Sequence, residues 1–160
     1  MTTSPMQPHR PDLVPARFTR LQKIALGYAV LLTGAAALNY IPGLTDSEGR
    51  AFGIFALDLF DDLLHVVSAL WALIAGLASH RWARHFLTWF GALYLGDGLL
   101  GLLTGSGYLD AGIIRYGIQD FDLTFRILAN APHLLLGGVA VMAARLWRNA
   151  FHDQPERTKT

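Results

Sequence analysis

Four apolar runs constrain the fold of this chain more than any other feature. They are Ile24–Thr45, Leu63–Ser79, Phe86–Leu109 and Ile127–Ala144, and the only Asp, Glu, Lys or Arg in them is Asp97. A helix of about 18 or more largely apolar residues is long enough to cross a bilayer. A soluble bundle would instead show polar faces at helical spacing, and these runs show none. The sequence therefore predicts four membrane-spanning helices.

Composition agrees with this interpretation. Hydrophobic residues make up 52% of the 160 residues and charged residues only 16%, which is low for a soluble domain. The length suits a single domain. The sequence contains no cysteine, so disulfides and thiolate metal sites are excluded. We predict an all-α fold, a bundle of four transmembrane helices.

The placement of basic residues predicts the topology. Ten of the thirteen lie before the first run, between the second and third, or after the fourth; these are Arg10, Arg17, Arg20, Lys23, Arg81, Arg84, Arg145, Arg148, Arg157 and Lys159. Arg50, Arg115 and Arg126 lie on the opposite side. Because loops rich in Lys and Arg stay in the cytoplasm, we expect both termini there, in a bacterial cytoplasmic (inner) membrane.

The chain divides into a membrane domain and two tails. We predict a disordered cytoplasmic tail at residues 1–20, where prolines recur without a periodic apolar pattern. The four-helix membrane domain is predicted at residues 21–148, and a second cytoplasmic tail at 149–160. The predicted spans are about 24–42, 61–79, 85–104 and 125–147. Residues 80–84 are expected to form a short inner loop, and residues 106–122 an irregular outer loop.

The second and fourth runs resemble each other. Asp62 lies three residues before His65, and Asn130 lies three before His133. Small residues follow each histidine at offsets of four, seven and eleven, which lie on one helical face; they are Ala69, Ala72 and Gly76, then Gly137, Ala140 and Ala144. Tyr28 and Tyr94 occupy similar places in the preceding runs. The repeat predicts two tandem helical hairpins related by an axis along the membrane normal.

Three ionisable residues in the predicted spans form the candidate site. A helix rises about 1.5 Å per residue, and by that measure Asp97, His65 and His133 lie at a shared depth below the outer surface. Ionisable residues in membranes normally face the bundle interior and find partners there. We therefore expect the three to converge on one buried site. Asp62, Asp97 and Asn130 are predicted to form a polar network, unless Asp62 and Asn130 cap their own helices.

Several functions fit this pattern. The leading interpretation is a structural or interaction protein without catalysis, in which the polar groups fix the helix register. The alternative is a cofactor site, with His65 and His133 holding haem b, or His65, His133 and Asp97 holding a divalent metal. A proton or ion path is disfavoured because the inner half of every span is apolar. The sequence has no nucleophile elbow, HExxH, P-loop or dinucleotide fingerprint, so no catalytic residue is predicted.

The expected partners follow from the same features. The lipid bilayer is the first. Small-residue faces, densest in the glycine-rich third run, allow close helix packing and support a homo-oligomer or a larger membrane complex. The basic segment Arg10–Lys23 lies beside a predicted span, so anionic lipid is a better partner for it than nucleic acid. We expect no nucleic-acid partner.

Short motifs carry a family resemblance. They are Ile41-Pro-Gly-Leu44, Asp62-Leu-Leu-His65, Tyr94-Leu-Gly-Asp-Gly98 and Asn130-Ala-Pro-His133. With them, residues 24–147 resemble an uncharacterised bacterial family of small four-helix integral membrane proteins, a domain of unknown function with a repeated Asn/Asp-x-x-His motif. The family usually has asparagine where this chain has Asp62. The resemblance implies a fold and a membrane location but no mechanism.

Overall fold

All regular elements in the described part of the chain are helices. A computed structural model describes residues 18–47, 50–52 and 59–148. In order, the elements are α1 (Arg20–Ala37), a 3₁₀ helix (Leu38–Tyr40), α2 (Leu59–Ala78), α3 (His80–Thr104), α4 (Gly112–Tyr116) and α5 (Leu123–Leu146). These residues contain no β-strand, only an isolated bridge between Thr45 and Ala51. The prediction of an all-α fold is confirmed. Residues 1–17 and 149–160, in the predicted tails, lie outside the described residues.

Side-chain caps set the helix boundaries, and some differ from the predicted spans. Thr19 and Gln22 form a capping box, so α1 begins at Arg20 rather than at residue 24. The expected inner loop at residues 80–84 is wrong. The Ser79 hydroxyl accepts a hydrogen bond from the Trp82 N–H at 3.3 Å, and α3 already begins at His80. At α5, the Asp122 carboxylate accepts from the Phe125 N–H at 3.0 Å, which starts that helix at Leu123.

Three of the described helices are long and apolar enough to cross a membrane. They are α2 with 20 residues, α3 with 25 and α5 with 24. Helix α1 has a polar first turn that contains Arg20, Gln22 and Lys23, so its apolar part is shorter. Large apolar side chains cover the outside of the bundle, among them Leu31, Leu63, Leu70, Ile74, Leu99, Leu103 and Leu135. Such an apolar exterior is typical of a membrane protein and would be unfavourable in water.

The helices pack as two antiparallel pairs. Helix α1 packs mainly on α2, and α3 mainly on α5. At one end of the first pair, the Gln22 side-chain amide donates to the Gly76 carbonyl at 3.0 Å. At the other end, the Tyr40 hydroxyl donates to the Asp62 carboxylate at 2.9 Å. The small residues that follow each histidine are buried, as predicted: Ala69, Ala72 and Gly76 on α2, and Gly137, Ala140 and Ala144 on α5.

An aromatic column joins the two pairs at the centre. The Tyr28 ring meets the Phe90 ring edge-on at 5.2 Å between centroids, and Phe90 stacks on Tyr94 at 4.0 Å. The Tyr28 hydroxyl also donates to the Leu136 carbonyl of α5 at 2.6 Å. The core therefore runs along the bundle between two differing ends. We call them the basic end, which carries Arg20, Arg81, Arg84, Arg145 and Arg148, and the loop end, formed by residues 38–47 and 105–122.

Candidate functional site

A buried acid and a half-buried imidazole form a pair near the loop end. Helix α3 places Asp97 on its inner face, where the side chain is only 2% exposed. Its Oδ2 lies 2.6 Å from Nδ1 of His133 on α5. Because a carboxylate accepts, Nδ1 of His133 carries the proton in this bond, and Nε2 is left for another partner. The ring of Tyr94 packs edge-on against the same imidazole at 5.0 Å between centroids. The structure thus brings two of the three predicted site residues into direct contact.

The second carboxylate oxygen of Asp97 holds a loop. Oδ1 accepts hydrogen bonds from the backbone N–H groups of Tyr108 at 2.5 Å and Leu109 at 2.8 Å. Sequence reasoning missed this role, which needs the chain to turn back immediately after α3. Gly105 permits that turn with a φ of +74°. A Cβ at Gly107 would lie 2.7 Å from Oδ1, so only glycine fits beside the carboxylate. Gly105 and Gly107 are the features of the sequence that could have indicated this turn.

Further bonds fix residues 105–122 across the loop end. The Gln119 N–H donates to the Thr104 carbonyl at 2.8 Å. The Arg126 guanidinium donates to the carbonyls of Leu103 and Gln119, each at 3.2 Å. The Tyr108 hydroxyl donates to the Leu93 carbonyl at 2.6 Å. Burial, and then the nearby Asp97 carboxylate, raise the pKa of Tyr108 above its ordinary value. The segment expected to be irregular is therefore ordered by specific bonds and contains α4.

His65 faces the same cavity without joining the pair. The cavity has a volume of about 480 Å³, and its lining includes His65, Asp97 and His133. The His65 side chain is 9% exposed, and its buried Nδ1 has no hydrogen-bond partner in the described part of the chain. The lining also contains Asp61 and Asp110. The rest of the wall is largely apolar or aromatic, with Leu38, Phe121, Phe125, Pro132 and Leu136.

Asp62 and Asn130 engage different partners although they occupy equivalent places in the repeat. Asp62 accepts from the Tyr40 hydroxyl, which ties α2 to the 3₁₀ helix that follows α1. Asn130 donates through Nδ2 to the Arg126 carbonyl at 2.8 Å and packs against Gly101 of α3. The interpretation of Asn130 as a helix cap is wrong, because α5 begins at Leu123 and Asp122 caps it. Asn130 lies in the second turn and lines the cavity.

The side chains at this site bear on whether it could hold a metal ion. Within the described residues, no group of three or more His, Asp or Glu side chains could hold a metal ion. Both oxygens of Asp97 accept hydrogen bonds from other groups of the protein. The roles of His65 and His133 toward haem or a metal stay predictions.

Comparison with protein families identifies a family for this chain. The model described as Domain of unknown function (DUF4383) matches residues 22–121, well over half of the chain. The chain belongs to this family. The matched range includes His65 and Asp97 and ends before Asn130 and His133. Comparisons with curated proteins and with solved structures each found no match. The expected membership in a family of unknown function is confirmed, while bacterial origin and the repeated motif stay predictions.

Proposed function

We propose that the chain is a four-span protein of a bacterial inner membrane, with a binding or interaction role and no catalytic one. Three helices are long and apolar enough to span, and α1 packs along α2 through much of its length. An apolar helix that packs along a membrane-spanning helix is expected to lie in the bilayer as well. The fourth span is therefore α1.

The two ends of the bundle support the orientation. Arginines gather at the basic end, and the exposed rings of Trp82 and Trp89 lie there too. Tryptophan is enriched at membrane interfaces, and Arg and Lys are enriched on the cytoplasmic side. We therefore assign the basic end and both termini to the cytoplasm. The cavity then opens on the outer side.

The cavity at the loop end is the observation that carries the binding role. Its volume of about 480 Å³ falls in the usual range for small-molecule sites, and largely apolar walls with a few polar groups are typical of them. The Asp97 carboxylate ties residues 108 and 109 to the bundle beside it. A loop fixed in this way makes a preformed cavity, which binds without first ordering the chain.

Reporter fusions test the topology on which this proposal depends. A reporter at Thr160 should indicate the cytoplasm, and one inserted between residues 106 and 122 should indicate the periplasm, because the arginines lie at the opposite end. A reporter fused directly after Thr45, with the rest of the chain removed, leaves α1 as the only possible span; it provides an independent check on α1 and should also be periplasmic. A cytoplasmic signal after Thr45 would contradict the fourth span alone. A periplasmic signal at Thr160 would contradict the whole orientation.

Haem ligation by His65 and His133 is the second candidate function. The favouring observation is the bond from His133 Nδ1 to a carboxylate, since ligating histidines are commonly oriented through the nitrogen that does not bind the metal. In this arrangement Asp97 would orient His133 rather than act as a ligand. The absorbance spectrum and metal content of the detergent-purified chain test it. His65→Ala and His133→Ala should each abolish retention of the group, and His85→Ala at the basic end should not.

A further inference from the structure

A groove between α3 and α5 opens on the outside of the bundle. Its volume is about 550 Å³, and its lining runs along α3 from Arg84 through Ala92 and Gly96 to Leu99. Arg145 of α5 and Arg148, just after that helix, close the groove at the basic end. From Arg84 to Leu99 the helix rises about 22 Å, at about 1.5 Å per residue. The groove is therefore longer than one leaflet of a bilayer core, which is about 15 Å thick.

The charges of the groove lie at one end only. Arg84, Arg145 and Arg148 are exposed, and their guanidinium groups form no ion pair with any other part of the chain that the structure describes. Beyond Thr88 the lining is apolar, with Ala92, Leu95 and Leu99. A ligand that matches this surface has a compact anionic group at one end and a long apolar chain at the other.

We propose that this groove binds one anionic phospholipid from the cytoplasmic leaflet. Guanidinium groups bind phosphate through charge-assisted and often paired hydrogen bonds. Basic pockets between membrane helices on the cytoplasmic side suit anionic headgroups. The acyl chain lies along Ala92 and Leu99, parallel to the acyl chains of the surrounding leaflet. This inference goes beyond the outer cavity but depends on the proposed membrane location and orientation.

The outer cavity provides the contrast that makes the assignment specific. Among the described residues, its lining contains Asp61, Asp97 and Asp110 but neither Lys nor Arg. An anionic headgroup would be repelled there and attracted to the groove. The exposed Trp82 and Trp89 also place the three arginines close to headgroup level.

Native mass spectrometry of the full chain in detergent tests the groove. Phosphatidylglycerol and phosphatidylcholine with the same acyl chains are added separately, and the bound fraction of each is measured. We expect clear retention of phosphatidylglycerol over phosphatidylcholine. The triple variant R84Q/R145Q/R148Q should lose about tenfold in phosphatidylglycerol retention, because the charge-assisted phosphate bonds are gone. A matched variant, R20Q/K23Q/R81Q, removes the same charge from the same end outside the groove and should retain the lipid.

A second variant separates the groove from general attraction to a basic surface. Ala92→Phe fills the apolar part without changing charge and should weaken phosphatidylglycerol retention. Ala78→Phe, at an exposed position on α2, should not. Thermal unfolding verifies that all variants fold. Equal retention of both lipids, equal loss in the two triple variants, or displacement by inorganic phosphate would overturn the proposal. A chain absent from the membrane fraction would contradict the proposed function itself.

Discussion

The two helical pairs share a sequence pattern but differ in what they bury. On α3, Asp97 lies three residues after Tyr94. On α1, the residue three positions after the matching Tyr28 is Leu31. Asp97 is 2% exposed, whereas Leu31 is 60% exposed. The α3–α5 pair thus has an acid on the helix that faces its histidine, whereas α1 has leucine at the matching position. The His65 Nδ1 is accordingly left without a hydrogen bond in the described structure.

This difference gives the two histidines different roles. His133 is bonded within the protein, whereas Nδ1 of His65 has no hydrogen-bond partner in the described structure. His133 is engaged by Asp97, which also fastens the loop at Tyr108 and Leu109. Because Asp97 is buried, a hydrogen bond to its carboxylate is expected to stabilise the fold, and the loss of His133 removes one such bond. His65 faces the same cavity with less to hold it. If the cavity binds a ligand, we expect His65 to contribute more to binding and His133 more to stability.

Gly137→Ala should give the largest effect, because the α3–α5 contact joins backbone to backbone. A Cβ at Gly137 would overlap the Leu95 backbone N, which cannot rotate away. We expect the free energy of unfolding to fall by about 3 kcal/mol or more, at or above the upper end of typical overpacking costs. Thermal unfolding in detergent and the amount of protein in the membrane measure it.

Two further glycines provide controls for this prediction. A Cβ at Gly138 would meet nothing within 4 Å, so Gly138→Ala should leave stability unchanged or slightly higher. A Cβ at Gly76 would meet the side chain of Leu26 at 2.8 Å and, less closely, the Gln22 carbonyl oxygen at 3.2 Å. That side chain can move, so Gly76→Ala should cost about 1 kcal/mol, at the low end of overpacking. Equal costs at Gly137 and Gly138 would mean that the two helices are not in such close contact.

Asp97→Leu should have the next largest effect. It leaves two backbone N–H groups and the His133 imidazole without their acceptor, at a cost of about 1–3 kcal/mol for each group that stays buried. We expect a total loss of about 2–3 kcal/mol, since the loop can partly relax toward solvent. Proteolysis should also begin within residues 105–122. Asp97→Asn keeps an oxygen for the N–H groups and should be milder. Leucine and asparagine variants of equal stability would contradict the anchoring role.

Much of this arrangement could be predicted from the sequence, and the reasons are specific. The burial of Ala69, Ala72 and Gly137 followed from helical spacing, because offsets of four and seven fix a face. The proximity of Asp97 and His133 followed from counting depth along two helices. Both inferences use regular geometry, which sequence spacing specifies directly.

The loop could not be predicted in the same way. Its path depends on single backbone conformations, such as the positive φ of Gly105 and of Ala111, at 62°. Alanine rarely adopts that conformation, so nothing in its identity indicates the turn before α4. The separate environments of His65 and His133 were also missed, because the repeat suggested equivalence. The residue at the place of Asp97 accounts for the difference in the hydrogen bonds of their Nδ1 atoms.

His133→Ala and His65→Ala provide the direct test of the comparison. Loss of His133 removes a hydrogen bond to a charged group, which is typically worth about 1.5–3 kcal/mol. We expect a destabilisation near the lower end of that range, since Asp97 keeps its two backbone donors. His65→Ala should cost less, about 1 kcal/mol, because its Nδ1 has no hydrogen-bond partner in the described structure and mainly packing is lost. Thermal unfolding of both variants measures the difference. A larger loss for His65 would reverse the assignment of roles.

The smallest expected effect is a change in the pKa of Tyr108, and it reports the charge of Asp97. Burial is the larger cause of the raised pKa, and the Asp97 carboxylate is the smaller one. A negative charge disfavours the phenolate. Asp97→Asn should therefore lower the pKa of Tyr108 while leaving it above its ordinary value. A pH titration of ¹³C-labelled tyrosine by NMR, with Tyr108→Phe to assign the signal, measures the change. An unchanged pKa in the Asp97→Asn variant would indicate that Asp97 is neutral, and its bond to His133 would then join two uncharged groups.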